Sequence, residues 1–189
     1  MNDALRSLTD RLRKESGASE TFRHLAATDD RDELAAALTR PGQALWAREL
    51  AAFRLGLAGD RRAFETLILL LNHRDPPRCA SAAHALARLG DPRTSRAAAA
   101  LATNELRVAY ALHPVRLLAE LRAAESVPAL VTVLERRLHP HDPHHRVALA
   151  CVEGLGDLAD PRACRVLTDA LDHPRLTEAA ARALRGIAG

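Results

Sequence analysis

Apolar positions recur along the chain with a long and nearly constant period. Matching leucines stand 29 to 37 residues apart, at Leu55, Leu86, Leu118, Leu155 and Leu184. The residue three positions after each of them is also apolar. Because residues i and i+3 lie on one face of a helix, every period presents the same apolar edge. Such a period predicts an array of helical repeats, each packed on its neighbours.

Breaker residues divide each period into two helices, which we call A and B. In the second period the turn His73–Pro77 ends helix A, because proline cannot continue a helix, and Gly90 ends helix B. The same order of apolar stripes and breakers predicts about five repeats, near residues 28–58, 59–89, 90–122, 123–158 and 159–189.

Residues 1–27 precede the first repeat. Leu5, Leu8 and Leu12 have the spacing of an amphipathic helix, and Glu15–Ser19 has the composition of a linker. Two roles stay open for this segment: it caps the exposed end of the stack, as terminal units of repeat arrays usually must, or it is a loose arm that finds a partner.

Composition favours an all-α fold. Hydrophobic residues make up 48% of the 189 residues, but aromatic residues only 3%. The apolar residues are mostly Ala and Leu, which are strong helix formers, whereas a β-sandwich would contain more Val, Ile, Thr and aromatic residues.

Three features predict a cytoplasmic protein with no membrane span. The N-terminal residues are charged throughout, unlike a signal peptide, and no apolar run approaches the length of a membrane helix. Cys79, Cys151 and Cys164 are odd in number and lie in apolar helical stretches, which favours buried, reduced thiols.

The last predicted helix pair ends at Gly189 without an obvious cap, which suggests self-association through that edge.

The order of helices and turn motifs within each repeat resembles that of HEAT repeats. The resemblance rests on paired helices, on the turn Gly90–Arg93 and on the Asp-x-x-Arg start of helix B at Asp75 and Arg78. The short, phycobilin-lyase-like kind from bacteria is the most similar, and the resemblance covers roughly residues 28–189. It implies a right-handed α-solenoid of stacked antiparallel helix pairs whose B helices line the concave face. Most members of this family are interaction scaffolds, a minority attach or isomerise bilins, and distant relatives excise damaged DNA bases.

Two irregularities interrupt the repeats. Pro114 falls within helix B of the third repeat and predicts a kink or a break there. The loop His139–His145 lengthens the fourth repeat, and it holds the weak metal-ligand candidates His139, His141, His144 and His145. Their spacing matches no fixed Zn or Ni site, so we favour a solvated loop and predict neither a metal nor a cofactor. A pH-sensitive contact is a further alternative.

Charge is distributed unevenly between the two kinds of helix. The whole chain has a net charge of +3. The predicted B helices carry eleven arginines against five glutamates and Asp157, a balance of +5, whereas the A helices with their leading turns have a balance of −1. A basic B face favours an acidic partner. A structural alternative holds for the arginines that start the B helices, which we expect to bridge neighbouring repeats: Arg78, Arg107, Arg146 and Arg175.

Some B-helix positions vary in identity while their neighbours stay apolar, as expected for side chains that face a groove. The predicted partner-binding residues are Phe53, His84, Arg88, Arg116, Glu153, Arg182 and Arg185. Because acids interrupt the basic stripe, this pattern favours a protein partner over a phosphate backbone.

Known catalytic motifs are missing from the sequence. It contains no Gly-rich phosphate loop, no GxSxG and no HExxH, and it has few aromatic residues to hold an extruded base. We therefore predict a non-catalytic scaffold or adaptor that binds a protein with an acidic surface. The alternatives are a nucleic-acid-binding HEAT solenoid and a bilin lyase or isomerase-like protein.

Overall fold

The computed structural model describes residues 3–188, and every regular element among them is a helix. This confirms the predicted all-α fold, while its right-handedness stays a prediction. Met1, Asn2 and Gly189, at which the first and last predicted ranges begin and end, lie outside the described residues. Contacts separate two compact units, of which the first ends at Thr94 and the second begins at Ser95.

The first unit contains two helix pairs preceded by two further helices. Its helices are α1 (Asp3–Glu15), α2 (Glu20–Ala27), α3 (Arg31–Thr39), α4 (Leu45–Leu57), α5 (Phe64–Leu71) and α6 (Pro76–Leu89). A 3₁₀ turn, Arg61–Ala63, leads into α5. Helix α3 packs on α4 and α5 packs on α6, and the two B helices, α4 and α6, pack on each other.

The second unit repeats this arrangement. Its helices are α7 (Thr94–Ala102), which starts on the last residue of the first unit, α8 (Leu112–Leu121), α9 (Ser126–Glu135), α10 (His145–Leu158), α11 (Cys164–Asp169) and α12 (Thr177–Ala188). Short 3₁₀ segments occupy Glu105–Tyr110, Pro161–Ala163 and Ala170–Asp172. The B helices α8, α10 and α12 pack in series, with α9 beside α10 and α11 beside α12. The contacts separate only two units, so the division into five repeats stays an interpretation.

The matching leucines form the centre of the packing. Four of them are fully buried, at 0% exposure: Leu55, Leu86, Leu118 and Leu155. Leu184 in α12 is half-buried. The apolar edge is incomplete, however, because Ala58, three residues after Leu55, follows the end of α4 and is exposed.

Neighbouring B helices approach each other through pairs of small residues. A Cβ atom added at Gly156 would lie 2.9 Å from the Cβ of Ala183 in α12, and one at Gly154 would lie 2.8 Å from the Cβ of Ala119 in α8. The first unit has the same contact, since a Cβ at Gly56 would lie 2.9 Å from that of Ala85. Each contact joins residues directly beside the matching leucines, so the close spacing is a repeated feature.

Pro114 breaks its helix rather than kinking it. The third repeat begins its B helix with the 3₁₀ segment Glu105–Tyr110, and the α-helix starts only at Leu112. This places Pro114 in the first turn of α8, where backbone N–H groups have no partner inside the helix in any case. The proline is therefore accommodated by moving the start of the helix.

The N-terminal segment is packed on the first unit. Helix α1 buries Leu8 and Leu12 and contacts both α4 and α6. Helix α2, which the sequence did not predict, is capped by the Ser19 hydroxyl and buries Phe22 and Leu25 against α4. The segment therefore lies along two B helices instead of covering only the end of the stack.

Candidate protein-binding face

Five charged side chains project from the B helices of the second unit. We call them the second-unit B face: Arg116 and Glu120 on α8, Glu153 and Asp157 on α10, and Arg182 on α12. All five are exposed. Because α8, α10 and α12 pack in series, the five side chains form one continuous surface across three helices.

Small residues form the floor of this face. An open groove of about 420 Å³ runs between α8 and α10, where Ala119, Ala150 and Gly154 lie between the charged side chains. A second groove of about 460 Å³ lies between α10 and α12, with Ala179 and Ala183 on its floor. Glu153 and Asp157 line both grooves. The face is thus a pair of adjoining shallow channels with charged rims.

The five charged side chains of this face are not paired within residues 3–188. None of the five side chains makes a hydrogen bond or an ion pair with another described residue. Arg122, at the end of α8, also lines the first groove and donates a 2.6 Å hydrogen bond to the backbone carbonyl of Asp157. With Arg122 included, the rim has three arginines and three carboxylates, so its charge is balanced rather than basic.

The turns between repeats use their arginines in the opposite way. Arg62 donates to Asp60 at 2.6 Å and to Asp32 in the preceding A helix at 2.7 Å. Arg93 in the next turn likewise donates to Asp91 at 2.9 Å and to Glu65 at 3.0 Å. The hydrogen bonds from these arginine side chains hold the pKa of Asp60 and of Asp91 below the usual range. These arginines therefore link successive repeats within the first unit.

We expected all four arginines at the start of the B helices to bridge neighbouring repeats, but most of them do not. Only Arg78 does so, with bonds to α1 and α4. Arg107 lies over the Tyr110 ring at 5.5 Å, while Arg146 and Arg175 are exposed, and their side chains have no ion pair among the described residues. The bridging role has moved to the turns between repeats.

In the first unit the predicted face is covered. Phe53 is only 1% exposed and stacks on the half-buried His84 ring, with 5.9 Å between the ring centroids. The prediction of an exposed groove residue at Phe53 is therefore wrong. Helix α1 packs across α4 and α6 on this side of the first unit, because Arg11 bonds to Glu49 and Ser81, about one turn before Phe53 and His84. A single sequence gives no local signal for this long-range contact.

The remaining predicted residues, Arg88 and Arg185, do not line either of the two grooves. Arg88 on α6 and Arg185 on α12 are exposed and have no ion pair with any residue between 3 and 188. Across that same range, no group of three or more His, Cys, Asp or Glu residues is placed to hold a metal ion. In the histidine loop, Asp142 accepts from Arg137 at 3.1 Å and from the backbone N–H of His144 at 2.7 Å.

Comparison with known proteins identifies one repeat. The family model described as PBS lyase HEAT-like repeat matches residues 147–173, which run from α10 into the turn before α12. A search of the curated proteins gives no match. Within the described part of the chain, no helix has both the length and the apolar character needed to cross a membrane.

Proposed function

We propose that this HEAT-repeat protein of the phycobilin-lyase-like kind is a non-catalytic scaffold whose second-unit B face binds another protein. One observation carries the proposal: five exposed charged side chains surround a floor of small residues and have no partner in the described chain. Conformational stability does not require charges at these positions, since isolated surface charges contribute little to it.

The shape of the face supports a protein ligand. Alanine and glycine on the floor let a partner's backbone or side chains approach the B helices closely. Arg116 and Arg182 would then pair with carboxylates of the partner, and Glu153 and Asp157 with its basic groups. Such pairs fix orientation and speed association more than they add affinity, which would come from a few buried anchors.

Charge balance argues against nucleic acid as the ligand. A phosphate backbone is bound by an excess of Arg and Lys, and its affinity falls steeply as salt rises. On this rim three carboxylates stand among three arginines and would repel phosphates. Labelled DNA and RNA would be titrated at low salt against the wild-type chain and against variants in which an arginine of this face is replaced by glutamate. We expect these replacements not to weaken any nucleic-acid binding that is seen. A bilin mixed with the purified protein should likewise keep its absorbance spectrum.

Charge reversal tests the binding face directly. The full-length chain and its Arg116→Glu and Arg182→Glu variants would be used as bait in affinity purification from the native host, followed by mass spectrometry. We expect both variants to lose the main captured protein. Arg96→Glu is the matched control, because Arg96 is exposed on the A helix α7 of the same unit.

The purified partner would then be titrated against each bait. Equal binding by all three variants would move the interface away from the second-unit B face. Equal loss by all three would mean that overall charge, and not this face, controls the interaction.

A further inference from the structure

Helix α1 is bound to the first unit as a ligand helix would be bound. It lies against α4 and α6, the two B helices, and buries Leu8 and Leu12 to 2% and 0% exposure. Its opposite side is polar and exposed, with Asp3, Arg6 and Asp10. An amphipathic helix whose leucines enter the groove between two helices is a common mode of peptide recognition.

A polar cluster gives this contact its specificity. Glu49 on α4 is 1% exposed and accepts hydrogen bonds from Arg11 of α1 and from Arg78 of α6. Arg11 also donates to the Ser81 hydroxyl at 3.2 Å, and Arg78 donates to Glu15 of α1 at 2.5 Å. Burial opposes the charge of Arg78, but the bonds and charges of Glu15 and Glu49 outweigh it and raise the Arg78 pKa. The groove therefore selects for an arginine and a glutamate at defined positions.

The cluster divides into two halves, each of which holds both signs of charge. Helix α1 contributes Arg11 and Glu15, which are 3.9 Å apart. The repeats contribute Glu49, Arg78 and Asp75, whose carboxylate lies 3.3 Å from the Arg78 guanidinium. If α1 leaves, Arg78 keeps Glu49 and Asp75, and Glu49 keeps Arg78, so no buried charge loses every partner. Removing the only partner of a buried charge is strongly destabilising, and departure of α1 does not carry that cost.

The α4–α6 face that α1 covers corresponds in the repeat to the exposed second-unit B face. Glu49 precedes Phe53 by four residues and Ser81 precedes His84 by three, so α1 lies on the helix stripe that is open in the second unit. We infer that the α4–α6 face is a receptor groove for a partner protein's amphipathic helix with the pattern Leu-x-x-Arg-Leu-x-x-Glu, and that α1 (Leu8, Arg11, Leu12, Glu15) is its exchangeable internal occupant. This inference concerns the first unit and does not depend on the function proposed for the second.

The short linker after α1 indicates which molecule can replace α1 in the groove, a partner protein or a second copy of this chain. Residues 16–19 join α1 to α2, which is itself packed on α4. A tethered helix has an effective concentration of the order of millimolar, so α1 from another copy at micromolar concentration cannot displace it. A partner helix can, when a second contact on the same partner gives it a comparable local concentration.

Peptide binding to the full-length chain tests the inference. Leu8→Ala and Leu12→Ala together should release α1 and open the groove. Fluorescence anisotropy would then follow a labelled peptide that corresponds to residues 3–16. We expect the double variant to bind this peptide at least about tenfold more tightly than the wild-type chain does, because the tethered α1 competes in the latter.

Variants of the peptide separate specific from general attraction. Arg11→Glu should weaken binding about tenfold or more, because Glu49 loses a charged donor. Arg6→Glu makes the same charge change on the exposed side of the helix and should leave the affinity unchanged. Equal losses for the two peptides, or no binding by a double variant that keeps its helical circular dichroism, would overturn the inference. A wild-type chain that sediments as a dimer through exchange of α1 would also overturn it, since the occupant would then be a second copy.

A cut chain covers the case in which the double variant does not fold. A protease site placed between Gly17 and Ala18 leaves the Ser19 cap of α2 intact. After cleavage of the folded protein, α1 should exchange with the labelled peptide. A cut chain that retains its own helix and takes up no peptide would show that α1 is a permanent part of the fold.

Discussion

The close approach of α10 and α12 makes a sharp prediction about Gly156→Ala. The new Cβ would lie 2.9 Å from the Cβ and 3.1 Å from the Cα of Ala183, whereas carbon atoms in contact prefer about 3.5–4.0 Å. Neither atom of Ala183 can rotate away, so the two helices must separate. Overpacking of this kind costs about 1–3 kcal/mol, and the higher helix propensity of alanine returns up to about 1 kcal/mol. We expect a net loss of about 1 kcal/mol.

Gly186→Ala is the matched control for this prediction. Gly186 lies in α12, and a Cβ there would meet nothing within 4 Å, so the propensity gain is not opposed. Urea unfolding followed by circular dichroism at 222 nm would give the free energy of unfolding of each variant. The two variants should differ by about 1–3 kcal/mol, with Gly156→Ala the less stable.

A double-mutant cycle identifies the cause. Ala183→Gly should remove the clash, so its own cost should be smaller beside Gly156→Ala than in the wild-type chain. The coupling should reach about 1 kcal/mol, as found for residues in direct contact. If Gly156→Ala and Gly186→Ala stabilise the chain equally, the small-residue contact does not set the spacing of the B helices.

Two further predictions concern charged groups. Glu49→Gln should lower the free energy of unfolding by about 2–3 kcal/mol, because it removes a buried carboxylate that accepts hydrogen bonds from two arginines. The control Glu178→Gln, at an exposed position, should change the free energy of unfolding by less than about 0.5 kcal/mol. Urea unfolding measures both, and equal effects would contradict the burial argument. Hydrogen bonds from Arg162 lower the pKa of Asp160 from 3.8 to about 2, so its contribution to stability is present above pH 3.8 and is lost as the pH falls towards 2. Asp160→Asn, which keeps a capping side chain, should therefore flatten the fall of Tm between pH 4 and pH 2, and an unchanged slope would refute this assignment.

The sequence period predicted the B helices well because their burial depends on neighbours at a fixed separation. Leu86 and Leu155 lie in equivalent, fully buried environments for this reason. The same logic failed at Phe53, whose surroundings are completed by α1, a segment outside the period. It also could not tell which arginines pair, because Arg62 finds Asp32 thirty residues earlier only after the repeats have stacked.

The residue two positions before each matching leucine differs in chemistry between the two units. On the stripe two residues before the matching leucine, the first unit has Phe53 and His84, and the second unit has Arg116, Glu153 and Arg182. Where α1 covers the stripe, the residues are aromatic and stack on each other. Where nothing in the described chain covers it, they are charged and make no ion pair. Coverage thus accounts for the chemistry of the first unit. The charges of the second unit have no such internal cause, which is why a partner protein is the better explanation for them.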